Sequence, residues 1–183
     1  MKRSREIVEI LADVVARTKT DCRVVMGGPE IDCPEINYTF GNAQYIKDHL
    51  DELSSLSDVD RKFPLIALFC PFVERRDVLG YYTSAKVRVL IACATDRQYS
   101  NEQRCKLSFE NILRPIYRRF LEALKEDGRF EFGYDAIVEH EYSENYSYGR
   151  YGAVTGTGEE VSDPIDAINI TNLKLTVKLP SCR

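Results

Sequence analysis

The stretch "KFPLIALFCPF", residues 62–72, restricts the fold of this chain more than any other. It is apolar at odd and even positions alike, as expected of a central strand covered on both faces or buried in an interface. Prolines mark its ends: Pro64 fits a first strand position, and Pro71 closes the run. In the next run, "SAKVRVLIACAT", Val87, Val89, Ile91 and Cys93 share one face and Lys86 and Arg88 lie opposite. That alternation predicts a half-exposed strand, antiparallel to its predecessor through a long hairpin loop, "VERRDVLGYYT".

The last apolar segment, "DAINITNLKLTVKL", changes parity. Ile168 and Ile170 are even, whereas Leu173, Leu175, Val177 and Leu179 are odd. One extra residue, a β-bulge near Thr171 and Asn172, would keep all six on one side. "FEFGYDAIVEHEY" predicts the strand before it. Nearer the N-terminus, "CRVVMGG" and "EINYTFG" predict two short strands joined by a hairpin loop, "GGPEIDCP".

Helical spacing appears three times. Ile7, Leu11, Val14 and Val15 form the apolar side of a helix over residues 5–18, with Ser4 as its cap. Ile46, Leu50, Leu53 and Leu56 repeat the pattern behind an Asn42 cap. The longest stripe runs through Cys105, Phe109, Ile112, Leu113, Ile116, Phe120, Leu121 and Leu124, with Gly128 as a stop. Pro115 interrupts it and cannot donate to the Asn111 carbonyl, so a bend or two helices end to end are expected there. The order α, β, β, α, β, β, α, β, β predicts an α+β fold, a mostly antiparallel sheet with helices packed on one face. A length of 183 residues fits a single domain, 1–183, with a long projecting loop at 143–164.

Composition narrows the function. No apolar run approaches the ~20 residues of a membrane helix, and the N-terminus lacks the apolar core of a signal peptide, so cytosolic residence and no membrane partner are expected. The six cysteines contain no C-x-x-C pair and read as reduced apolar residues. Two histidines, His49 and His140, are too few for a multi-histidine metal centre. From Arg61 to Arg97 there are seven basic and three acidic residues, whereas Glu131 to Asp166 holds nine acidic residues against Arg150. Blocks of opposite sign steer copies of one protein together, and they argue against a nucleic-acid binder.

Motifs of chemistry are weak. "TGTGEE", residues 155–160, has no apolar helix after it to aim amides at a phosphate. Asp135, Glu139 and Glu141 share a strand face, with Asp163 and Asp166 beyond the loop, but a phosphodiesterase would also need cations that this region lacks. His140 stands without a catalytic motif. The expectation is therefore no enzyme, no catalytic or metal residues and no cofactor. Tyrosine is more informative: there are eleven, and no tryptophan. Tyr142, Tyr146, Tyr148 and Tyr151 fall beside or inside the glycine-rich loop with Arg150, in the vocabulary of contact-making loops. Arg114 and Arg118, with Arg119, form a basic ridge on the long helix. Arg75, Arg76, Tyr81 and Tyr82 lie in the other long loop. Together with Tyr146, Tyr148, Arg150 and Tyr151, the named residues of ridge and loops, Arg119 and Tyr142 apart, are the expected subunit-interface residues.

"KFPLIALFCPF", then "VRVLIACATDRQYSNEQR", "ILRPIYRRFLEAL" and "DPIDAINITNLKLTVK", resemble the tail-terminator and neck-ring proteins of tailed bacteriophages, including crAss-like phage ring proteins. The resemblance covers most of the chain from Lys62 onward. It implies a tail-terminator-like fold and a structural virion protein, assembled in the host cytoplasm, that forms a homo-oligomeric ring for head–tail joining or tail termination. The partners it implies are neighbouring neck, portal or tail proteins, with non-specific proximity to DNA in the channel. In that setting residues 143–164 are expected to be an assembly arm. Two readings stand beside it: a non-viral or prophage protein-binding module that uses the tyrosine-rich loop, and a metal-dependent phosphodiesterase.

Overall fold

The structure, a computed structural model, describes residues 6–18, 23–24, 31–32, 35–46, 48–49, 63–78, 82–146 and 164–178. Helix α1, Ile7–Arg17, buries Ile7, Ile10, Leu11, Val14 and Val15, the stripe expected of it. Its N-cap is Glu6, which makes no side-chain cap bond; Ser4 lies outside the described residues. Strands β1 (Arg23–Val24), β2 (Ile31–Asp32) and β3 (Asn37–Gly41) follow. Residues 43–46 are helical, and the Asn42 carboxamide oxygen accepts from the Tyr45 amide at 2.8 Å, as a cap should. Then come β4 (Leu65–Phe69), β5 (Glu74–Arg76) and β6 (Tyr82–Ala94). One long helix is built from α2 (Asn101–Arg104), a π-helical segment (Cys105–Leu113) and α3 (Arg114–Glu126). Strands β7 (Glu141–Asn145) and β8 (Ile165–Lys178) complete the fold.

Among the described residues the main sheet has six strands in the order β3-β4-β6-β8-β7, with β5 paired to β6 beyond the end of β4. Every pairing is antiparallel except β3 with β4. The fold is thus α+β with a mostly antiparallel sheet. Among the described residues the expected hairpin between "CRVVMGG" and "EINYTFG" is not found. Arg23–Val24 pairs instead with Ile31–Asp32, inside the presumed loop, and β3 joins β4 in parallel, Asn37 opposite Leu65. Glycine and proline punctuation marks a reversal but not which strand is met after it. "VERRDVLGYYT" is likewise not all loop, because Glu74–Arg76 continues the sheet along β6.

One face of the sheet carries the main core. Ile66 and Leu68 of β4, Val87 to Cys93 on odd positions of β6, and Ile168, Ile170, Leu173, Leu175 and Val177 of β8 pack against α1 and the long helix. A smaller cluster, Ile46, Phe63, Leu65, Ala67, Leu90, Ala92 and Ala167, covers part of the opposite face. Helical residues therefore do not all sit on one side, since Ile46 is on the second. The two clusters explain why "LIALF" is apolar at every position: Leu65, Ile66, Ala67 and Leu68 are each at most 1% exposed.

The bulge expected near residues 171 and 172 is present. Val87 faces Leu173 and Val89 faces Ile170, so Arg88 stands opposite two residues of β8, Thr171 and Asn172. Asn172 has φ +54°, a left-handed conformation that asparagine tolerates better than most side chains. With that extra residue the five described apolar positions of both parities reach one core. Leu179 lies outside the described residues.

At Pro115 the helix is continuous but changes type, a π-helical segment ending at Leu113 and an α-helix beginning at Arg114. The nine residues before α3 are π-helical, and the Arg114 amide donates to the Phe109 carbonyl, five residues back. The widened turn admits a proline at the start of α3. Ser100 and Gln103 form a reciprocal capping box at the N-terminus of α2. At the C-terminus the helix stops at Asp127 rather than through a left-handed Gly128. The Asp127 carboxylate accepts from Arg17 of α1 and, at 2.7 and 2.9 Å, from Arg129. Burial alone would push this carboxyl up, but the Arg129 and Arg17 hydrogen bonds outweigh it and bring it down to about 2.

The other end of the long helix is tied to β8 through the interior. Asp166, fully buried, accepts from Arg104 at 3.0 Å and from Ser108 at 2.7 Å. Arg104, 3% exposed, also donates to the carbonyls of Asp96 and Tyr99 and to the Thr95 hydroxyl. Beside it, burial and then the Asp166 charge push the Cys93 thiol up. Among the described residues no buried side-chain nitrogen or oxygen lacks a partner.

Candidate interaction surface

Beyond β4, the described residues leave the face of the sheet opposite the long helix open. Register places Phe69 beside Arg88, Arg75 beside Ser84, and Lys86 beside Lys174 on that face. Together with Pro71, Val73 and the bulge residue Asn172, they line a groove of about 730 Å³. The Arg88 guanidinium lies 4.5 Å from the centre of the Phe69 ring and donates to the Asn169 carboxamide at 3.2 Å. Lys174 reaches Glu139 at 3.3 Å. Among the described residues, Arg75 and Lys86 have no ion-pair partner. The groove joins four cations to apolar surface, with Val73 at its rim 81% exposed. Such a surface holds carboxylates next to aromatic or aliphatic groups.

The apolar groups exposed nearby are concentrated. Val78, 99% exposed, and Tyr82, 48% exposed, lie in the β5–β6 hairpin that carries Arg75 and Arg76. The latter is held by Glu74 at 2.7 Å and lies 3.5 Å from Glu6.

Around the long helix, aromatic and charged side chains close on the chain's own body. Arg114 grips Glu144 with two bonds, 2.7 and 3.0 Å, and Tyr142 donates to the same carboxylate. These hydrogen bonds hold Glu144 below its ordinary range, the Arg114 contribution being the largest, and raise Arg114. Burial pushes up Tyr142 and then Glu144 adds to it. Tyr146 lies with its ring centre 4.4 Å from that of Phe109; burial, then Cys105, push its phenol up to about 12. The Tyr117 hydroxyl donates to His140 Nε2 at 2.7 Å when Nδ1 of that ring donates to the Val138 carbonyl at 2.6 Å.

The expected interface residues are therefore scattered over different environments. Arg75 lines the groove, while Arg76 and Tyr82 stand on the hairpin above it. Arg118 is exposed on α3. Arg114 and Tyr146 are engaged within the chain. The strand β7 extends through Asn145, so the start of the presumed loop at 143–145 is sheet, and the strand read over "FEFGYDAIVEHEY" begins only at Glu141 apart from a Phe130–Val177 bridge. Tyr81, Tyr148, Arg150 and Tyr151 lie outside the described residues, as do Asp163, Leu50, Leu53, Leu56 and 155–160. Asp135, Glu139 and Glu141 do not gather: Glu139 meets Lys174, and Glu141 accepts from Thr171. Among the described residues no group of three or more His, Cys, Asp or Glu is placed to hold a metal, and no helix is long and apolar enough to cross a membrane. Phe69, Lys86, Arg88 and Lys174 were absent from the expected interface. The signal for Lys86 and Arg88 was their shared parity opposite Val87 and Val89, inside the basic block of the sequence.

Compared with protein-family models and with curated proteins, the chain matches none.

Proposed function

We propose that this chain is a structural virion protein that assembles into a ring in the neck or tail of a tailed bacteriophage. The observation that carries the reading is the concentration of Val73, Val78 and Tyr82 on and beside the β5–β6 hairpin, next to Arg75 and the basic groove. Apolar groups gathered in this way mark a surface meant to be covered by another protein. The bipolar charge of the chain, with its basic block on β5–β6 and acidic residues on the β7 side, suits the head-to-tail contacts of a ring, in which each copy offers unlike patches to its two neighbours. Catalysis plays no part in this reading.

Light scattering after size exclusion over a range of concentrations, followed by negative-stain microscopy, tests it. Closed rings of one subunit number are expected at high concentration. A chain that stays monomeric throughout and binds a single unrelated protein instead would replace the ring with the binding-module reading.

A further inference from the structure

Across β8 from the groove, residues 129–131 and 139 run beside the strand: the Glu131 amide donates to the Thr176 carbonyl, and the Lys174 amide to that of Glu139. Between them the chain makes an excursion through a turn at 133–136. Its side chains are unusually bare. Tyr134 is fully exposed, Ile137 is 61% exposed, and Asp135 between them has no partner among the described residues. An aromatic, a carboxylate and an aliphatic residue on one turn complement what the groove offers, namely the unpaired cations Arg75 and Lys86 beside Phe69 and Val73. The turn is carried on the β7 side of β8 and the groove spans its β6 side, so a single copy presents both patches.

We infer that the turn carrying Tyr134, Asp135 and Ile137 of one copy docks into the Arg75–Lys86 groove of the next. This deepens the ring reading and rests on it. Asp135 meets the two cations, and Tyr134 and Ile137 cover Val73 and the Phe69 edge. The contact joins unlike surfaces, so it repeats from copy to copy and closes into a ring if the rotation permits, or runs on as a filament if it does not. Because the charges sit at the rim of an exposed groove, added salt weakens the contact.

The test uses two variants of the full chain. Arg75→Glu with Lys86→Glu reverses the groove, and Tyr134→Ala with Asp135→Lys reverses the turn. All four positions are solvent-facing, and unchanged circular dichroism and melting temperature establish that each variant folds. Either variant alone should raise the concentration needed for assembly on the order of a hundredfold, since like charges then face each other. Mixing the two variants pairs the intact turn of one with the intact groove of the other, and the reversed turn with the reversed groove, so light scattering should find the mixture assembling at lower concentration than either variant alone. The chain carrying both sets of reversed charges should regain part of its assembly. Wild type that assembles while both variants do so equally well would overturn this contact and leave the ring standing. Wild type that remains monomeric at the highest soluble concentration would overturn both. A groove that captures an unrelated acidic, aromatic peptide while the chain stays monomeric would assign it to another partner and likewise end the inference.

Discussion

The two halves of β8, separated by one bulge, live in different surroundings. From Ala167 to Ile170 every residue is buried, on both faces of the sheet. From Asn172 to Lys178 burial alternates, and the outward residues Asn172 and Lys174 line the groove. Each half also has its own carboxylate at one end of the long helix. Asp166 is sealed in with Arg104 and Ser108, whereas Asp127, near the Phe130–Val177 bridge, is reached by an Arg17 that is half exposed. One half of the strand is therefore interior on both faces, and the other is interior on one face and leaves the second for contact. The same type of ion pair should be worth very different amounts in the two places.

Deleting Asn172 attacks the junction itself and has the largest expected effect. Without the extra residue, Leu173, Leu175 and Val177 turn to the open face, at a cost on the order of 5–9 kcal/mol for three core side chains. That is comparable with the whole stability of a domain, so circular dichroism should find no cooperative unfolding transition. Asn172→Gly keeps the left-handed conformation and should fold normally. A folded deletion variant would mean that the two halves are not locked in register by the bulge.

Asp166→Ala comes next. It leaves the Arg104 guanidinium buried without its counter-charge and should cost about 3–5 kcal/mol in urea denaturation. Replacing Arg104 by Met together with Asp166 by Leu should recover much of that loss. If the single substitution costs under about 1 kcal/mol, the sealed and the open halves do not differ as described.

Asp127→Asn should cost less, about 1–3 kcal/mol, because water can reach its partners. The carboxyl is depressed to about 2 in the folded chain against an ordinary value of 3.8. Its contribution is therefore complete above the ordinary value and declines as pH falls through about 2. A pH series of melting temperatures should show the variant losing less than wild type on going from pH 5 to pH 2; equal slopes would remove Asp127 as a source of acid sensitivity. Smallest of all, Lys86→Ala on the open face should change unfolding free energy by no more than about 0.5 kcal/mol. A larger loss would show that the groove cations support the fold.

What the sequence makes legible follows the range over which each feature acts. The parity change between Ile170 and Leu173 is local arithmetic on one strand, so the bulge could be placed within two residues. The double-sided burial of "LIALF" is equally local. The parallel pairing of β3 with β4 is not, because Asn37 and Leu65 meet across a long connection whose composition names no partner. Strand β5 escaped notice because "ERR" has no apolar alternation to report. Tyr146 and Arg114 suggest surface contacts when judged by neighbours in sequence; only the fold brings Phe109 and Glu144 to them. The groove divides in the same way: Lys86 and Arg88 are visible as one polar face, but Lys174 and Phe69 join them only through strand pairing.

The wide turn ahead of Pro115 also sets a phase. Each residue of an ordinary helix advances the surface by roughly 100°, so taking one residue out of the segment between Ser108 and Arg114 would let the backbone close with four-residue bonding yet swing Arg104 and Ser108 away from Asp166 relative to α3. The proline and the buried charge are thus two readings of one length of chain, and neither can be shortened for the other's convenience.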